Sequence, residues 1–291
     1  MIKYILFLLS EYYYELAVLQ ENEIVDKAGA GGAKVSIRML DAQKWEEDWK
    51  RLTQTEGTDK GELLVFTDKA EPLQRLLKEG YYVIAVYHEK NKEQGLTGAR
   101  YAVEDLFALE YSSYEGAYLR LAGLPWDILE TEHLRVREST VADVEDFYRI
   151  YQDPSITYYM EALFPEKEAE IAYMKSYIEQ IYGFYGFGLW TVILKENGQI
   201  IGRAGLSVRE GYDEPELGFV IDVQHQGKGY GFEVCTAILK YAKGELEFDR
   251  VQALVDKDNL ASVRLLKKLG FTYENDVIER ERHYDRFLKN L

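Results

Sequence analysis

Leu217 to Ile221 is an unbroken apolar stretch, and the chain then runs through Gln226-Gly227-Lys228-Gly229-Tyr230-Gly231 into a segment with helical spacing. Glycines at 227, 229 and 231 let the backbone turn through positive φ and approach a ligand closely. A helix starting there offers unpaired N–H groups and the positive end of its dipole, so this strand–loop–helix is a candidate anion cradle, with diphosphate the obvious guest. The run lacks the Lys-Ser or Lys-Thr pair of a P-loop and the Gly-x-Gly-x-x-Gly spacing of a dinucleotide loop, which leaves Gln-x-x-Gly-x-Gly. Taken alone, such a loop is more often a surface turn.

Gln226, Gly229 and Gly231 resemble the acetyl-CoA diphosphate loop of the GNAT superfamily of N-acetyltransferases. A second motif of that family follows in order: Asn259, Ser262, Leu265, then Lys267-Lys268-Leu269-Gly270-Phe271. The resemblance reaches back to about residue 134 through Leu134-Arg135-Val136-Arg137, Asp153-Pro154-Ser155-Ile156 and Glu216-Leu217-Gly218-Phe219, covering roughly the last 158 residues. Within the superfamily it looks like the branch acting on ribosomal-protein N-termini. The resemblance implies an α/β fold with a GNAT-type mixed sheet flanked by helices. It also implies an enzyme that moves the acetyl group of acetyl-CoA directly to a primary amine, on a protein N-terminus or a small molecule.

It further implies roles for individual residues. Backbone groups of Gln226, Gly227, Lys228, Gly229, Tyr230 and Gly231 would hold the diphosphate, and those of Phe219 and Ile221 would pair with the pantetheine amides as an added strand does. Asn259 would bond the pantetheine arm, and the Val220 N–H would stabilise the oxyanion. A free alkylamine has a pKa of roughly 10, so a base or proton path is needed near neutral pH. Glu216 matches the family's carboxylate position and is the candidate base, with Asp213 and Glu214 as nearby substitutes. Many members carry a tyrosine acid where this chain has Leu266, which makes Ser262 the alternative proton donor to the thiolate.

Each residue also has a plainer use: Glu216 in a salt bridge, Asn259 as an N-cap, Ser262 bonded to its own backbone, Lys228 solvated. A non-catalytic acyl-CoA-binding or sensory protein is therefore the competing reading. The acceptor side is expected where Tyr158, Tyr159, Met160 and Phe164 cluster with Tyr185, Phe187 and Trp190, although an aromatic stripe of this kind is more often core.

At 291 residues the chain is long enough for two domains, and the expectation is a Rossmann-like α/β accessory domain over 1–132 and the acetyltransferase domain over 133–291. In the first, Leu63-Leu64-Val65-Phe66, Ala70 to Lys78 and Tyr81 to Tyr87 predict a β-α-β unit, extended by Arg100 to Val103 and a helix over Ser113 to Leu121. Ala28 to Ala33 reads as a loop and Asp41 to Gln54 as a helix with Trp45, Trp49 and Leu52 on one side. Thr67-Asp68 at a strand end faintly resembles the second motif of haloacid-dehalogenase-like hydrolases, but no Asp-x-Asp pair precedes it. Leu124-Pro125-Trp126 and the acidic run to His133 read as a linker.

The net charge of −16 is shared by both halves, which repels nucleic acid and anionic membrane; it would attract a cationic amine if the excess lies near the acceptor cleft, and is otherwise a plain acidic surface with no bearing on substrate. The apolar run Met1 to Ser10 is too short to span a bilayer and predicts a buried strand or helix start, with the cytoplasm as the expected compartment. Cys235 reads as a small buried hydrophobe. His88, His133, His225 and His283 lack partners at ligand spacing, so no metal is expected. A homodimer is compatible with the sequence, which does not encode oligomeric state.

Overall fold

The computed structural model describes residues 2–40, 45–47, 49–50, 59–279 and 282–291. The chain divides into two compact units, Met1–Leu124 and Pro125–Leu291.

The first unit is built on a parallel sheet. Its strands β1 (Tyr4–Leu9), β2 (Lys34–Met39), β3 (Leu63–Thr67), β4 (Tyr82–Val86) and β5 (Ala102–Val103) lie in the order β2-β1-β3-β4-β5. The apolar run at the start of the chain is β1, a central strand; covered on both faces, it needs continuous hydrophobicity rather than alternation. Helices α1 (Glu11–Leu19) and α2 (Glu21–Gly29) link β1 to β2, α3 (Ala70–Lys78) links β3 to β4, and α4 (Tyr111–Ala122) follows β5. The expected β-α-β unit is thus β3-α3-β4. The Ala28 to Ala33 loop begins slightly later than expected, because α2 runs on to Gly29. Of the helix expected over 41–54, residues 45–47 and 49–50 are helical, with Trp45 and Trp49 buried, and the rest lies outside the described residues.

Strand order reverses between β1 and β3, a topological switch point. There the buried Asp68 accepts the Ser10 N–H at 2.8 Å and the Ser10 hydroxyl, and it lies 3.0 Å from His88 Nε2. Its carboxylate ties together the loops after β1, β3 and β4. No aspartate stands at the end of β1, where the chain reads Leu8-Leu9-Ser10.

The second unit carries an eight-stranded mixed sheet: β6 (Asp127–Glu130), β7 (Leu134–Arg137), β8 (Leu189–Leu194), β9 (Ile200–Ser207), β10 (Glu216–Ile221), β11 (Arg250–Asp256), β12 (Thr272–Glu279) and β13 (Arg282–Asn290). The order is β12-β13-β11-β10-β9-β8-β7-β6, and β10–β11 is the parallel pair among antiparallel neighbours. Helices α5 (Val144–Tyr151) and α6 (Lys167–Tyr177) cover one face, where Phe147 and Met174 pack with Val220. On the other face α7 (Tyr230–Gly244) buries Val234, Cys235 and Ile238 against Trp190, Leu217 and Ile221, while α8 (Leu260–Lys268) follows β11. Asn197-Gly198 makes the β8–β9 hairpin, with Gly198 at φ 73°.

Residues 127–130, read from sequence as linker, are the edge strand β6. Ile128 and Leu129 pack on the core, and Arg135 pairs with Asp127 at 2.6 Å. A four-residue strand with an acid at each end is too short to display a period. At the start of the first helical segment, Asp143 accepts both Arg137 guanidinium nitrogens at 2.7 Å, the Thr140 N–H at 3.0 Å and the Thr191 hydroxyl at 2.8 Å. Burial alone would raise this carboxyl, but the Arg137 and Thr140 bonds outweigh it and hold it below the usual carboxylate range.

Candidate active site

The site lies where the sheet opens. β10 pairs with β9 along its whole length, from Glu216↔Ser207 to Ile221↔Gly202, but with β11 only at Glu216↔Gln252. Beyond that point the two parallel strands diverge, leaving the β11-facing edge of β10 without a ladder partner.

Register decides which amides face this opening. Asp222 donates its N–H to Ile201 at 2.8 Å, which makes 222/201 a hydrogen-bonded antiparallel pair. Bonded and non-bonded pairs alternate, so Val220 and Gly218 bond to β9, while Phe219 and Ile221 direct their backbone groups to the β11 side. The Gln252 N–H bond to the Pro215 carbonyl at 2.9 Å fits the same parity. Phe219 and Ile221 therefore turn their N–H groups toward the opening, while the Ile221 carbonyl is taken by the Gln226 side chain. Val220 turns its N–H the other way, to Arg203 on β9, and not into the opening where an oxyanion donor was expected.

The opening leads to the glycine loop. Gly227 and Gly229 have φ of 73° and 93°, and Gly229 is the N-cap of the fifteen-residue α7. The first intrahelical bond runs from the Glu233 N–H to the Gly229 carbonyl at 3.0 Å, so the amides of Tyr230, Gly231 and Phe232 precede the helical ladder. This arrangement suits a diphosphate. The Gln226 side chain is not aimed outward; its Nε2 donates to the Ile221 carbonyl at 2.8 Å and clamps loop to strand. Lys228 is exposed.

In the second motif Asn259 caps α8, its side chain accepting the Ser262 N–H at 3.1 Å, and Ser262 sits half-buried on the first turn. Leu266, in the place of the expected tyrosine, is buried core. Glu216 is paired: the Arg209 guanidinium donates to both carboxylate oxygens, through Nε to one and through Nη2 to the other at 3.1 Å. Glu214 bonds Arg286 at 2.7 Å.

By strand alternation Glu216, Gly218 and Val220 share the face covered by α5 and α6. Leu189 Cδ2 lies over Gly218, close enough that an added β-carbon would come within 3.1 Å of it. Tyr159 donates its hydroxyl to the Asp258 carbonyl at 3.1 Å, and Tyr158 is exposed. Trp190 and Phe187 do not join them: Trp190 is fully buried against Tyr241 of α7, and Phe187 packs on Phe248. Among the described residues no group of three or more His, Cys, Asp or Glu is placed to hold a metal, and no helix is long and apolar enough to cross a membrane.

Residues 133–272 match the family described as Acetyltransferase (GNAT) domain. These residues form a GNAT acetyltransferase domain. Relatives of the GNAT domain include the uncharacterized N-acetyltransferase p20 of Bacillus licheniformis, 25% identical over 166 residues that span 56% of this chain and 92% of the relative. YnaD of Bacillus subtilis, an uncharacterized N-acetyltransferase, is 29% identical over 50% of this chain and 83% of its own length. The ribosomal protein uS5 alanine N-acetyltransferase of Escherichia coli is 35% identical over 109 residues, 37% of this chain and 54% of that enzyme. Among solved structures, RimL, a ribosomal L7/L12 α-N-protein acetyltransferase in complex with coenzyme A, aligns with a TM-score of 0.50 at 14% identity, over 57% of this chain and 98% of RimL. That likeness shows the fold. The matched domain is of the acetyl-CoA-dependent N-acetyltransferase kind.

Proposed function

We propose that this GNAT domain transfers acetyl directly from acetyl-CoA to the primary amine of a small molecule or a protein N-terminus, in a ternary complex assembled at the β10–β11 opening. The observation that carries this reading is the single Glu216↔Gln252 pair, which leaves the Phe219 and Ile221 amides facing an open edge that runs into the Gly229 helix start. Acetyl-CoA would supply the thioester; the protein supplies position and proton handling.

The Phe219 N–H is the first amide beyond the last β11 contact that parity directs into the opening, and it takes the oxyanion role expected of Val220. Ile221 N–H and the amides of Tyr230 and Gly231 hold the pantetheine and diphosphate ends, and Asn259 orders the first turn of α8 beside them. Glu216 accepts the amine proton through water, because Arg209 occupies its carboxylate directly. Ser262 is the proton donor to the departing thiolate. Relatives named for ribosomal-protein alanine acetylation support a protein N-terminus as one acceptor class.

Replacing Glu216 by Gln tests the assignment. Turnover is expected to fall by roughly 10²- to 10⁴-fold with the acetyl-CoA KM nearly unchanged. Unchanged turnover would remove Glu216 from the chemistry. Tight coenzyme A binding without amine-dependent turnover would favour the sensory reading.

A further inference from the structure

Every nitrogen of the Arg209 guanidinium faces an acid. Nε and Nη2 donate to the two oxygens of Glu216, the second at 3.1 Å, and Nη1 lies 3.9 Å from Glu279 Oε2. The other Glu279 oxygen accepts the Tyr212 hydroxyl at 2.9 Å. Glu216 begins β10 and Glu279 ends β12, with β11 and β13 between them in the sheet. The β9–β10 connection, which carries both Arg209 and Tyr212, therefore brings the two carboxylates to one cation.

Arg209 is not needed to hold this connection in place. Glu214, in the same connection, bonds Arg286 at 2.7 Å and pairs with Arg250 at 3.2 Å, and its carbonyl accepts Gln252 Nε2 at 3.1 Å. Those contacts moor the connection to β11 and β13 by themselves. What Arg209 adds is orientation. A glutamate side chain turns about several bonds, yet a base must lie within hydrogen-bond reach of its proton, directly or through one water. A guanidinium bonded through two nitrogens fixes both the position and the plane of a carboxylate, and it leaves acceptor capacity on each oxygen for water. The pair is not sealed in the core: the Arg209 side chain is 37% exposed and that of Glu216 12%, so solvent touches both.

We propose that Arg209 is the positioning residue for Glu216, aiming its carboxylate at a water on the acceptor face, and that Glu279 and Tyr212 hold Arg209 in that pose. The inference rests on the acetyl-transfer reading above and adds the support its base requires. In the step served, the water passes a proton to Glu216 as it takes one from the acceptor ammonium, and the neutral amine is left to attack the thioester carbonyl. Arg209 keeps its protons throughout. Once Glu216 is protonated, the guanidinium loses an anionic partner, and Glu279 is the carboxylate that remains to it. A second acid beside a base-bound arginine thus lowers the cost of the proton transfer that the first acid performs.

The test is a double-mutant cycle on the full chain, reading thiol release from acetyl-CoA with the best acceptor found among free amino acids, spermidine and N-terminal peptides. R209M is expected to lower kcat by about 100-fold, the cost of a misplaced catalytic group, with the acetyl-CoA KM nearly unchanged. R209K, which keeps the charge but loses the fork, should recover part of that loss, and E279Q should show a smaller loss of the same kind. The deciding arm is R209M placed in the E216Q background, where it is expected to add no further loss, because nothing remains for it to position. Losses that multiply in the double variant would make Arg209 an independent or merely structural residue and overturn the inference. A full kcat in R209M while E216Q is impaired overturns it too, and leaves acetyl transfer with Glu216 as base intact. Should R209M not fold, R209K and E279Q carry the same cycle with the same two outcomes. Full turnover by E216Q, or no turnover of any acceptor by wild type, contradicts the base reading and the positioning role together.

Discussion

Among single residues, Glu216 and Val220 show how far residue type informs. The carboxylate at 216 is visible in the sequence; its bond to Arg209 is not, because Arg209 lies in the connection between β9 and β10, where no periodicity predicts what meets what. Val220 was expected to donate to the oxyanion, and the β9 register turns its amide away while presenting Phe219. Hydrogen-bond parity depends on a strand pairing that no side chain encodes locally. Cys235 was legible as an apolar-face cysteine, and it is fully buried, which pushes its thiol far above the ordinary range. The native protein is therefore expected to react negligibly with a disulfide reagent until denatured, when one thiol should titrate. Fast native modification would contradict this burial.

For the elements, the strand–loop–helix around Gly229 was legible because glycine spacing and apolar runs are local signals, whereas β6 was hidden by its length and acidic ends. Gly229 holds φ 93° with nothing within 4 Å of an added β-carbon, so Gly229→Ala is a test of conformation rather than of space. It should cost about 1 kcal/mol of stability and weaken acetyl-CoA binding, measured by unfolding and by titration calorimetry; unaltered binding would show that the loop does not hold the ligand.

The Asp143 junction between β7, β8 and the first helical segment is a second element-scale feature. Asp143→Ala leaves the largely buried Arg137 unmatched and should cost about 3–5 kcal/mol in denaturant unfolding. The Asp143 carboxyl lies below its ordinary range when folded, so its contribution is fully present above the unfolded value. It is lost as pH falls through the folded value, so the wild-type advantage over the variant should shrink only in strong acid. A difference that already vanishes near neutral pH would contradict the assignment.

At the scale of the whole molecule, a division into two units was legible from length and from the β-α-β pattern after Gly61, while the choice of strand over helix for the first apolar run and the exact boundary were not. The chain divides after Leu124 because β6 belongs to the second sheet. A fragment of residues 125–291 is expected to fold and bind acetyl-CoA, whereas one starting at residue 133 loses Ile128 and Leu129 from the core and should be less stable by about 2 kcal/mol. Equal stability of the two fragments in chemical denaturation would place the boundary later.

Amine-dependent release of coenzyme A by the full chain, with the acetylated product identified by mass, is the most direct measurement. The site geometry predicts thiol release that requires an amine and yields an N-acetyl product of that amine. Thiol release independent of amine, or none with any amino acid, polyamine or N-terminal peptide while coenzyme A binds, would contradict acetyl transfer at the β10–β11 opening.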